Sequence, residues 1–74
     1  MTHTVLAELV ANVLTVMVRA GDEVSAGDTL VLLESMKMEI PVLTEIGGRV
    51  VEVSVAVGDV ITEGDTIAVI EGLG

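Results

Sequence analysis

The chain has 74 residues, with twelve Asp and Glu against three Lys and Arg, one His, no Cys, and no Phe, Tyr or Trp. A formal charge of −9 repels nucleic acid and anionic membrane, which both require clustered Lys and Arg. The missing Cys removes thiol catalysis and thiolate metal sites, and the length allows one small domain, expected to span residues 1–74.

Val, Ile and Thr make up about a third of the chain, a composition suited to pleated, half-buried surface. No apolar run approaches the roughly 20 residues of a transmembrane helix. The opening Met1-Thr2-His3-Thr4-Val5 lacks the basic region of a secretory signal, so a cytoplasmic location is expected. His3, the only His, is expected in a frayed terminus.

The first segment gives conflicting signals. Val5, Leu6, Leu9, Val10, Val13, Leu14 and Met17 recur at helical spacing. An internal repeat overrides that reading. Val16–Glu34 (VMVRAGDEVSAGDTLVLLE) and Val53–Glu71 (VSVAVGDVITEGDTIAVIE) match without a gap at an offset of 37, with eight of nineteen positions identical. The likeness extends to about 13–34 and 50–71, and it implies two equivalent units related by approximate two-fold symmetry. Val13–Val18 aligns with Val50–Val55, where alternation is strand-like, so two strands with a break near Ala11-Asn12 are expected.

Each unit then carries two Gly-Asp steps, Gly21-Asp22 and Gly27-Asp28 in the first, Gly58-Asp59 and Gly64-Asp65 in the second. Gly permits φ > 0 and Asp bonds nearby backbone, so turn chemistry accounts for the four aspartates without a calcium site. Apolar strands Thr29–Leu33 and Thr66–Ile70 follow, and Val51, Val53, Val55 and Val57 are expected on one strand face. The result is an all-β fold of about eight strands, a flattened barrel or sandwich of two four-stranded antiparallel sheets with quasi-two-fold symmetry. A thin aliphatic core leaves no room for a substrate pocket, which argues against an enzyme acting alone.

Between the copies lies Glu34-Ser35-Met36-Lys37-Met38-Glu39-Ile40-Pro41. Lys37 is the only lysine and sits at the midpoint; its symmetry counterpart is Gly74. The joining segment should therefore protrude at one end as a tight hairpin over 35–38, with both chain ends gathered at the other. Tight hairpins favour Asn-Gly or Asp-Gly because both central residues need positive φ. Met and Lys in that place point to selection for their side chains. Two exposed methionines suit a contact surface, since flexible thioethers adapt to a partner. Glu34, Glu39 and Glu45 read as a solvated face.

Glu34-Ser35-Met36-Lys37-Met38 resembles the biotin-attachment motif Glu-Ala-Met-Lys-Met, and the duplicated Gly-Asp strands resemble the biotinyl/lipoyl domain over nearly the whole chain. Related lipoyl domains usually carry Asp-Lys-Ala, absent here. The resemblance implies a biotin carboxyl carrier with biotin attached covalently to Lys37, and Met36, Met38, Ser35 and Glu34 as the motif read by the biotin protein ligase. It implies a swinging arm between biotin carboxylase and carboxyltransferase of an acyl-CoA or pyruvate-type carboxylase, without catalysis by the domain, which is expected to be monomeric when free. Ser35 replaces the usual Ala. The usual Pro-Met-Pro-Gly element is replaced by Val10-Ala11-Asn12-Val13, and no thumb insertion lies between Arg19 and Thr29. A lipoyl-type carrier and an unmodified hammerhead interaction module remain the alternatives.

Overall fold

The repeat becomes strand for strand equivalence in the computed structural model, which describes residues 1–72. The strands are β1 (Thr2–Leu6), β2 (Ala11–Val16), β3 (Glu23–Val24), β4 (Thr29–Ser35), β5 (Met38–Leu43), β6 (Gly48–Val53), β7 (Val60–Ile61) and β8 (Thr66–Gly72). They form two antiparallel sheets, sheet A in the order β1-β8-β6-β3 and sheet B in the order β5-β4-β2-β7. Advancing every strand of sheet A by the 37-residue offset, modulo the repeat, generates sheet B in the same order. Burial follows the same rule, with β4 and β8 sharing one pattern and β3 and β7 another. The expected architecture is therefore present.

The sheets close face to face over Val13, Leu30, Val31, Leu33, Val50, Ile67, Ala68 and Ile70, all buried. Burial of these aliphatic side chains is the main stabilising term available, at roughly 25 cal/mol per Å² removed from water.

The Gly-Asp steps act as the sequence implies. Gly21, Gly27, Gly58 and Gly64 have φ between 92° and 99°. Each following Asp accepts the backbone N–H three residues earlier: Arg19 to Asp22 at 3.0 Å, and Ser25 to Asp28, Ala56 to Asp59 and Thr62 to Asp65 at 2.8 Å. These carboxylates thus hold the turns closed. The turns also lock one half to the other. Gly21 donates to the Val50 carbonyl at 2.7 Å, and Gly58 to that of Val13 at 2.9 Å. Each half completes the other's backbone bonding, so the repeat folds as one unit.

Three expectations need correction. The break between the first two strands lies at residues 7–10, with Ala11 and Asn12 already in β2, paired to Ile61 and Val60. Ala7 ends β1 because its N–H and C=O are taken by the Gly64-Asp65 turn, both at 2.8 Å. His3 is not frayed: it lies half-buried in β1 opposite Ile70, and the Met1 carbonyl accepts from Gly72 N–H at 2.7 Å. Finally, Val51, Val53, Val55 and Val57 do not share a face. The β6–β8 register shifts between Val50 and Glu52, so Val51 is the extra residue of a bulge and is exposed. Val53 and Val55 pack on the core, while Val57 is exposed.

The Met1–Gly72 bond gathers the described chain ends as expected, although Gly74, the counterpart of Lys37, lies outside the described residues.

Candidate functional site

β4 and β5 pair from Thr29↔Leu43 up to Ser35↔Met38, which leaves Met36 and Lys37 as the whole loop. Two-residue loops that match the right-handed strand twist are type I′ or II′ turns, and only type I′ has positive φ at both positions. Met36 has φ 53° and Lys37 φ 67°, and among the described residues no other non-glycine has positive φ. A left-handed backbone costs about 1–2 kcal/mol per L-residue with a full side chain. The strain expected from the sequence is present, at the chain's only lysine.

The turn also aims the side chains outward. Met36 is 92% exposed and Met38 65%, while Lys37 is exposed between them. Its amine takes part in none of the side-chain hydrogen bonds among the described residues. Large exposed apolar side chains at a hairpin tip contribute nothing to the core and leave an adaptable contact surface. Ser35 is half-buried under the turn, consistent with a small residue there. The arrangement fits an amide-linked cofactor: an accessible amine on a fixed, narrow apex, with open solvent around it for a long acyl chain.

Immediately below the turn, Glu34 and Glu39 face each other directly across the strands and both are exposed. Like charges in such a pair destabilise a ladder. Composition shows the two acids, but only the two-residue loop fixes the register that opposes them. Replacing Glu39→Thr, the residue found at the equivalent position Thr2, is expected to stabilise the fold by about 0.5 kcal/mol. That corresponds to a rise in Tm of roughly 2–4 °C in a low-salt thermal melt, shrinking as salt screens the pair. Glu45 lies outside this cluster, beyond the end of β5.

Comparison with known proteins agrees with this geometry. The family model described as "Biotin-requiring enzyme" matches residues 2–70. A biotinylated protein TB7.3 homolog of Mycolicibacterium smegmatis is 67% identical over 42 residues, covering 57% of this chain and 59% of that protein. The matched stretch therefore spans little more than half of that relative's length. Among solved structures, a single-chain, multi-domain long-chain acyl-CoA carboxylase superposes with a TM-score of 0.89 at 32% identity, over 96% of this chain and 7% of the larger one. The lipoyl domain of the 2-oxoglutarate dehydrogenase complex of Azotobacter vinelandii superposes with a TM-score of 0.74 at 22% identity, over 92% and 98% of the two chains, a likeness of fold alone. A duplicated β-sandwich with its only lysine on a strained connecting hairpin, matched by the family model from Thr2 to Ile70, belongs to the biotinyl/lipoyl attachment family.

Proposed function

We propose that Lys37 is the attachment point for biotin and that the chain is a biotin carboxyl carrier without catalytic activity of its own. The observation that carries this reading is the strained Met36-Lys37 turn with exposed methionines on both sides of the amine. A turn built for stability would use Asn-Gly; this one keeps a nucleophile and two thioethers at an energetic disadvantage. Support comes also from the biotinylated relative and from the carboxylase that contains a domain of this shape.

In this reading a biotin protein ligase activates the biotin carboxyl group with ATP. Lys37 Nζ, once deprotonated, attacks that carbonyl carbon, an amide C–N bond forms, and the activating group leaves. The lysine loses its positive charge, making the chain one unit more negative than −9. When bound, biotin supplies a ureido nitrogen able to carry a carboxyl group. The protein's part is presentation. The hairpin holds the arm away from the sheets, Met36 and Met38 give the ligase and later partners an apolar surface to grip, and Glu34 and Ser35 complete the motif. A tether of matched length raises the local concentration of the reactive group at two separate sites, here those of a biotin carboxylase and a carboxyltransferase acting on an acyl-CoA or pyruvate-type acceptor in the cytoplasm.

The test is intact mass after co-expression with a biotin protein ligase. The parent chain is expected to gain one biotinyl group and Lys37→Arg none, with both folded by thermal melt. An unmodified parent, with the ligase active on a control carrier, would remove biotin and leave lipoylation or an unmodified interaction module.

A further inference from the structure

The internal symmetry supplies a control surface. Across the outer side of sheet B, the cross-strand row beneath the hairpin reads Val60, Asn12, Glu34, Glu39. The equivalent row of sheet A reads Glu23, Arg49, Glu71, Thr2, and all eight side chains are exposed. In sheet A the arginine lies between two glutamates, so one cation offsets part of their charge. In sheet B that arginine is Asn12, one flanking glutamate is the 68% exposed Val60, and the threonine has become Glu39.

The next row diverges in the same sense. Sheet B shows Thr15, Leu32 and Pro41 where sheet A shows Glu52, Val69 and Thr4. Over these two rows each sheet sums to the same net charge, but sheet A spreads its acids around an arginine, while sheet B gathers its two acids side by side below the methionine tip with apolar surface behind them. Both sheets do the same structural work, so the fold does not require this difference. It falls on the sheet whose strands carry Lys37.

We propose that the outer side of sheet B is the docking face for the ligase that acylates Lys37, that the ligase meets it with a cationic surface, and that sheet A faces away. The proposal rests on the assignment of Lys37 as the attachment site. Charge complementarity of this kind acts mainly on association rate and is screened by salt. Glu34 and Glu39 supply the field, Met36 and Met38 the contact at the reacting end, and Leu32 and Pro41 a flat apolar flank.

The experiment is the kcat/KM of biotinylation from low to high salt, using a purified biotin protein ligase, for the parent, Asn12→Arg, Glu39→Gln and Arg49→Asn. Asn12→Arg gives sheet B the arginine of sheet A, and Glu39→Gln removes one charge with almost no change of shape. Asn12→Arg is expected to lower kcat/KM at low salt by roughly five- to tenfold and to flatten its salt dependence, and Glu39→Gln by roughly threefold. Arg49→Asn, on the far sheet, is expected to stay within about twofold of the parent at each salt concentration. Equal responses to Asn12→Arg and Arg49→Asn would overturn the docking face while leaving Lys37 as the modified residue. Slowed carboxyl transfer with unchanged ligation would give the face to a carboxylase subunit and also overturn it. A parent chain that gains no biotin overturns the site assignment and the docking face together.

Discussion

Replacing Met36→Asn and Lys37→Gly together is expected to raise the stability of the domain by about 1.5 kcal/mol while abolishing its modification. Two L-residues with full side chains are held at φ 53° and 67°. Asn and Gly reach that region at much lower cost, and the gain is partly offset because Gly adds freedom to the unfolded chain. For a domain of this size the change corresponds to a rise in Tm of roughly 6–12 °C. Met36→Asn alone should give about half of the gain, retain modification at Lys37, and slow it by removing one thioether from the tip. A double variant no more stable than the parent would mean that the hairpin relaxes the strain elsewhere and that Met36 and Lys37 sit in the turn at no cost to the fold. A stability optimum that differs from the natural sequence at the functional residues is the usual sign of a site maintained against the fold's own preference.

Much of this was legible in the sequence because duplication gave every weak signal twice. The helical spacing of Val5 to Met17 would have misled by itself, but Val50–Val55 could not be helical in the same sense, and β2 confirms the repeat. The tight hairpin at Met36-Lys37 followed from symmetry together with the short distance between flanking strands. What escaped depends on contacts between halves. Ala7 ends β1 because of a turn 57 residues away, and His3 is ordered because Ile70 lies beside it. The bulge at Val51 shifts the strand's phase without any Gly or Pro to mark it. The contrast between Asn12 and Arg49 is visible in the aligned repeats, yet it acquires meaning only when the register places each beside a glutamate and only one of those glutamates beneath Lys37.

The same comparison of halves predicts the most damaging small substitution in the core. Gly48→Ala is expected to destabilise the domain by about 3 kcal/mol or more, a large part of the roughly 4–11 kcal/mol that a chain of this length can have. Conformation is not the reason, since Gly48 is not among the glycines with positive φ. Space is. A Cβ at Gly48 would collide with the Glu71 carbonyl oxygen and lie 2.8 Å from its carbon and 3.0 Å from the Gly72 Cα. Those atoms belong to the backbone of β8, which pairs with β6 on one side and β1 on the other, so they cannot yield without loosening that end of both ladders. The equivalent residue in sheet B, Ala11, keeps its Cβ and is buried, which shows that the fold as such tolerates a methyl group there. The restriction is local to the close approach of Gly48 to its opposite residue, Gly72. Gly47→Ala is the matched control: its nearest contact would be the Val24 carbonyl oxygen at 3.4 Å, and a cost below about 1 kcal/mol is expected. Denaturant midpoints for the two variants decide it. A Gly48→Ala protein as stable as Gly47→Ala would mean that β6 and β8 move apart without loss. The sheet bearing the chain ends would then be softer than its bonding implies, leaving sheet B and its hairpin as the rigid half of the carrier.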